Sequence, residues 1–238
     1  MNAQASFLQQ VEALFSNGQI RDGVKLLEQV WPSIPREECL LFLKFFDVYI
    51  TGPLDVTLKT LVAQGRYGEA LEILEDLYEV LGSTPAGYLR DVNKVVFLST
   101  AYSRVGVRCF NVAKDCDSLD GLNRAISSME KTISLIETAL SMYPGLNRDI
   151  EPYKQPLSAM YTQVGKYFGK RDQFNDQIPP LQKAVEINPN NEEAWLGLGY
   201  AYWGLGLRNH REECLNAWRH AADLGNAQAV DELKQWGN

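Results

Sequence analysis

The chain has 238 residues, 45% of them hydrophobic and 22% charged, and a net charge of −7. That length sits at the upper end for one domain, and the apolar share is enough for a sizeable core, which excludes long disordered stretches. The acidic balance argues against nucleic acid as the main partner, because such binding draws its affinity from Lys and Arg neutralising phosphates. The first basic residue is Arg21, so the chain's opening residues lack the basic start of a secretory signal. Its most apolar segment, Leu40 to Ile50, is broken by Lys44 and Asp47, short of the roughly 20 apolar residues that span a bilayer. A cytoplasmic protein without a membrane span is expected.

Apolar and small residues recur along the chain at a helical spacing. Phe7, Val11, Leu14, Gly18, Ile20, Gly23, Leu27, Val30 and Pro35 outline a first pair of short helices, over 4–37. An extra helix is expected over 36–50, closed by Thr51-Gly52-Pro53 and carrying Cys39 and the aromatics Phe42, Phe45, Phe46 and Tyr49. The first spacing returns over 51–84 as Leu54, Leu58, Leu61, Gly65, Tyr67, Ala70, Leu74 and Leu77. A third pair, 93–144, uses Val96, Ser99, Tyr102 and Gly106, then Ile136, Ala139 and Pro144. Its middle is too long by about eighteen residues, so 107–122, with Cys109, Cys116, Asp115, Asp117 and Asp120, is expected as an extended turn or inserted loop. A lengthened helix from Asp120 to Met142 would absorb part of that excess.

A fourth pair, 158–191, carries Tyr161, Val164, Gly165 and Phe168, then Phe174, Leu181, Ala184 and Pro189. Pro179-Pro180 should delay its second helix and leave it short. The fifth, 192–226, follows the turn Asn188-Pro189-Asn190-Asn191, with Glu192 and Glu193 favouring the positive helix end. Trp195, Leu198, Gly199 and Tyr202 mark its first helix, and Cys214, Trp218 and Ala221 its second. About three extra residues within Leu207 to Arg211 lengthen the turn between them. Gly199 and Ala221 leave room for close helix approach, and Trp195, Tyr202 and Trp218 fill the space between helices. A last helix, 227–236, is expected to cover the exposed apolar end.

The motif Trp195-x2-Leu198-Gly199-x2-Tyr202, followed by Cys214, Trp218 and Ala221, resembles the tetratricopeptide repeat (TPR) family. Gly65-Arg66-Tyr67-Gly68-Glu69-Ala70-Leu71 looks like that family's inter-helix turn. Ala221 to Val230 resembles the related Sel1-like repeats. The resemblance implies an all-α fold, a right-handed superhelical array of antiparallel helix pairs forming one α-solenoid over 1–238. It also implies a protein-interaction adaptor or scaffold that binds a partner segment in a concave groove. Carried onto this sequence, the groove positions are Leu196, Tyr200 and Trp203, with Thr162, Gln163, Lys166 and Lys170 from the preceding pair. Lys94, Phe97, Ala101 and Arg104 come from the middle and Lys59 from an earlier pair. Such a mixture suits a peptide with acidic and apolar residues.

Chemistry is sparse. His220 has no second ligand at i+4 and His210 has only Cys214 there, the Cys109–Cys116 spacing is not a common zinc or redox spacing, and no phosphate-binding glycine loop is present. Cys214 fills a small slot of the repeat rather than pairing with His210 as a nucleophile. The acidic pairs Glu37-Glu38, Glu192-Glu193 and Glu212-Glu213 read as helix-start residues. No cofactor, no metal and no enzymatic activity are expected. The alternatives are a self-associating assembly protein using Phe42, Phe45, Phe46 and Tyr49, and an enzyme whose chemistry lies in 107–122.

Overall fold

A computed structural model of the chain describes residues 3–30, 51–84 and 89–237. The expected helix 36–50, with Cys39, the Phe42–Tyr49 aromatics and Glu37-Glu38, lies outside the described residues. Among the described residues there are eleven helices and no strand. They are α1 (Ala3–Ser16), α2 (Ile20–Val30), α3 (Thr51–Ala63), α4 (Tyr67–Gly82), α5 (Val92–Asp115), α6 (Leu119–Met142), α7 (Glu151–Gly169), α8 (Phe174–Ile187), α9 (Glu192–Leu205), α10 (Leu207–Asp223) and α11 (Ala227–Trp236). The all-α class and the antiparallel helix pairs are as the sequence predicts. No described helix is long and apolar enough to cross a membrane.

The chain falls into two compact units, one comprising 1–116 and 127–150, the other 117–126 and 151–238. In the first, α1 packs on α2, α3 on α4, and α4 on α5. Val11, Phe15, Ile20, Leu74 and Leu77 lie in its core. Gly23 lies under Phe15: a Cβ there would be 2.5 Å from the ring. The ring takes up the volume that Ala would need. In the second unit α7 packs on α8, α8 on α9, α9 on α10, and α10 on α11. Leu181, Ala184, Ala194, Leu198 and Ala217 form one buried cluster, and Cys214, Leu215, Trp218, Ala221 and Ala229 another.

One turn recurs through the chain. Two residues before each of α2, α4, α6, α8 and α11 stands a residue in the left-handed region: Gly18 (φ 74), Gly65 (φ 71), Asp117 (φ 52), Asp172 (φ 55) and Gly225 (φ 98). Such a residue reverses the chain after a helix C-terminus, and Asp is among the few side chains that tolerate the conformation there. This turn corrects the reading of 107–122. No loop is inserted: α5 continues to Asp115, the chain reverses over Cys116–Ser118, and α6 begins at Leu119. The extra length of this pair is helix on both sides, 24 residues in each.

Thr51-Gly52-Pro53 opens α3, because proline in a first turn gives up an N–H that has no intrahelical partner, and the helix it was expected to close lies outside the described residues. Two further expectations are corrected. Pro179 and Pro180 do not delay α8, which starts at Phe174. The carbonyls they leave without partners, on Asn175 and Asp176, belong to exposed residues of the opening turns that water can reach. Between α9 and α10 the added residues form a helical turn after Gly206 (φ 110), broken by a kink at His210 (φ −126, ψ 24).

The small-residue logic holds at Gly199 and Gly165. A Cβ on Gly199 would fall inside the indole of fully buried Trp218, and one on Gly165 would stand 2.5 Å from Leu181. Gly199→Ala should therefore lose stability: overpacking of about 1–3 kcal/mol exceeds the helix-propensity gain of at most about 1 kcal/mol. Gly68→Ala, at an exposed position of α4 with nothing near its Cβ position, should instead gain up to about 1 kcal/mol. Denaturant midpoints check both, and two shifts of the same sign would refute the packing account.

Candidate functional site

The second unit holds a cavity of about 400 Å³ framed by α7, α8 and α9, with one residue from α11. Thr162, Lys166, Gly169 and Lys170 come from α7 and its end, Phe174, Gln177 and Leu181 from α8, Glu193, Leu196, Gly197 and Tyr200 from α9, and Gln228 from α11. The α8 contribution follows from helical spacing: Phe174, Gln177 and Leu181 are three and four residues apart and share one face. Glycines open the walls, since a Cβ on Gly197 would stand 3.0 Å from Leu181 and one on Gly169 2.7 Å from the Gln177 amide nitrogen.

Asn191 fixes how α7, α8 and α9 meet. Its side-chain oxygen caps α9 by accepting from Ala194 N at 3.0 Å. Its amide nitrogen donates to Ser158 Oγ at 2.7 Å and to Thr162 Oγ1 at 2.9 Å on α7. Those hydroxyls pass their own protons on, Ser158 to Ala184 O at 2.8 Å and Thr162 to Ser158 O at 2.9 Å. Every polar atom in this buried chain has a partner, the condition under which such a network rigidifies a core.

The cavity's charges are paired. Lys166 bonds Glu193, and Lys170 bonds Asp117 at 3.0 Å, with Arg171 on the other Asp117 oxygen at 3.0 Å. The hydrogen bond from Lys170, aided by Arg171, holds the Asp117 carboxyl below its usual pKa. Arg171 also stacks over Tyr167, 3.7 Å from the ring centroid. At the far wall Tyr200 donates to Glu232 at 2.6 Å and accepts from Gln228 at 2.7 Å. Burial, with the bond to Glu232, pushes its phenol up to about 12, so it stays protonated at neutral pH.

Of the twelve residues predicted for the groove, the cavity gathers Thr162, Lys166, Lys170, Leu196 and Tyr200. Gln163 is half-buried outside its lining. Trp203 is 44% exposed and also lies outside, its ring 6.4 Å from that of Trp236. Lys94, Phe97 and Arg104 belong to the first unit. Lys94 is buried there, with Asp91 at 4.0 Å, and Ala101 is a core residue. Phe97 and Arg104 are half-buried. Burial and the neighbouring Arg108 lower the Arg104 pKa, while Arg108 grips Asp55 with two bonds of 2.7 and 3.0 Å. Lys59 is exposed beside a smaller cavity of about 210 Å³ that Arg108 and Asp55 also line.

Gln177, Glu193 and Gln228 escaped the sequence reading of the site. A signal for Gln177 existed: it is the polar position in the otherwise apolar stripe Phe174, Leu181, Ala184. The described cysteines behave as packing groups. Cys109 and Cys214 are buried and Cys116 is half-buried. Burial, with Glu232 nearby, pushes the Cys214 thiol up to about 12, which leaves it a poor nucleophile. His220 stacks on Trp195 at 4.5 Å and His210 on Tyr202 at 5.9 Å.

Residues 178–206 match the family model described as TPR repeat, spanning most of α8, all of α9 and Gly206 before α10. No curated protein matches the chain. Among solved structures, a crystal structure of MamA protein aligns at 16% identity over 95% of this chain and 93% of its own, with a TM-score of 0.38. The DHF58 filament aligns at 14% identity over 97% and 98%, with a TM-score of 0.46. TTC0263, a thermophilic TPR protein of Thermus thermophilus, aligns at 16% identity over 98% and 96%, with a TM-score of 0.31.

Proposed function

We propose that the chain is a protein-interaction adaptor that holds a partner segment in the cavity of its second unit. The observation behind this reading is the gathering of five predicted groove residues around one cavity, within and beside the stretch that matches a TPR repeat. The helix pairs α1–α2, α3–α4, α5–α6, α7–α8 and α9–α10 serve as its repeat units. In this reading α11 is a Sel1-like cap, supported by the small residues Ala221, Ala222, Gly225 and Ala229 at its approach.

The chemistry favours a peptide with apolar and acidic residues. Phe174, Leu196 and Tyr200 offer apolar surface, and Lys166 and Lys170 offer cations whose present partners are carboxylates. A ligand carboxylate exchanges with Glu193 or Asp117, so the ion pairs set register while apolar burial supplies most of the affinity. In a pull-down with the full chain, Lys166→Ala combined with Leu196→Ala should weaken retained partners about tenfold or more with helicity unchanged. Trp203→Ala, outside the cavity, should leave them bound. Wild-type retention by the double variant would remove the cavity from consideration.

A further inference from the structure

Gln177 is the one feature of the cavity that packing and pairing leave unexplained. It is 6% exposed, lies between Phe174 and Leu181 on the inner face of α8, and its Oε1 has no hydrogen-bond partner. Its Nε2 occupies the space that Gly169 opens by lacking a side chain, and Gly169 and Gln177 line the cavity together. An unpaired buried carbonyl is costly, and an apolar side chain of the same length would fill the site without that cost. Glutamine at this position therefore points to a group that arrives with the ligand.

The surroundings narrow what that group is. A carboxylate has no proton to donate to Oε1. A methionine or leucine side chain satisfies neither end of the amide. An ammonium would have to be stripped of water on the same wall as Lys166 and Lys170. A neutral carboxamide donates through its NH2 to Oε1 and accepts from Nε2 through its oxygen, and this pairing works whichever way round the Gln177 amide stands.

We propose that the cavity selects peptides that place an Asn or Gln side chain against Gln177, and that Gln177 is the specificity-determining residue of the site. The proposal rests on the reading of the cavity as a peptide site. It is tested with the full chain and a positional-scanning peptide library, in which each position is fixed in turn as Gln, Asn, Met, Leu, Glu or Lys and retained peptide is quantified. Pools fixed as Gln or Asn at one position should be retained about tenfold over the Met, Glu and Lys pools (about 1.4 kcal/mol). Gln177→Met, which keeps length and removes both hydrogen-bonding ends, should abolish that preference and retain the Met and Leu pools better. Gln177→Leu serves as a second apolar replacement.

Pools retained without carboxamide preference, or a preference that survives in both variants, would overturn the inference while leaving the peptide site standing. Retention of no pool by the wild-type chain would overturn both. A cavity closed by a second copy of the chain gives that same result, together with a sedimentation coefficient that rises with concentration.

Discussion

Trp218→Ala should cost the second unit about 3–5 kcal/mol, the range for emptying a large aromatic site in a core that cannot collapse. Trp218 is fully buried, meets the bare backbone of Gly199, and stands edge-on to Tyr200 with ring centroids 5.6 Å apart. Around it lie Cys214, Leu215, Ala221 and Ala229, so its loss opens the joint at which α9, α10 and α11 meet. The indole has a second property: its Nε1 is buried without a hydrogen-bond partner. Trp218→Phe surrenders some volume but also removes an unpaired donor worth about 1–3 kcal/mol, so it should lie within about 1 kcal/mol of wild type. Urea unfolding with an unchanged slope is the check. Equal losses for Ala and Phe would mean that the pairing of Trp218 with Gly199 does not govern the packing.

Asn191→Ala should cost about 2–3 kcal/mol, counting about 1 kcal/mol for the α9 cap and about 1 kcal/mol for each hydrogen bond to Ser158 and Thr162. Asn191→Asp separates these contributions. A carboxylate still accepts from Ala194 N and suits the positive end of α9. It cannot donate to Ser158 or Thr162, whose protons are already given to Ala184 O and Ser158 O. Aspartate should therefore recover only the cap, about 1 kcal/mol. An Asn191→Asp chain as stable as wild type would show that the donations to α7 contribute nothing.

What the sequence disclosed follows from which residues betray their conformation. Gly18 and Gly65 marked their turns because glycine is the usual occupant of a left-handed position, whereas Asp117 takes the same conformation under a commoner side chain. The turn before α6 is therefore hidden in the sequence, where 107–122 reads as an extended turn or inserted loop, though the backbone there makes the same reversal as elsewhere. The close approaches at Gly165 and Gly199 were legible because small and large residues alternate at the spacing of packed helices.

The site was half legible for a related reason. Following first-helix positions located Lys166, Lys170, Leu196 and Tyr200, but the cavity floor belongs to α8, a second helix whose inner face is exposed by glycines on its neighbours. Burial separated other candidates, since Lys94 lies in the first unit's interior and Thr162 serves the Asn191 network. Glu193, read as a complement to the helix dipole, also neutralises Lys166. Pair identities of this kind depend on tertiary distances that no one-dimensional spacing encodes.

The placement of the sulfur atoms gives each unit its own clock. Cys109 is sealed in the first unit and Cys214 in the second, while Cys116 is partly open to solvent. A thiol-trapping reagent reaches the two sealed positions only when the surrounding helices part, so its rate of reaction at each reports the opening of that unit alone. Two distinct protection times would mean that the halves of this chain breathe independently, and one shared time that they open as a single cooperative body.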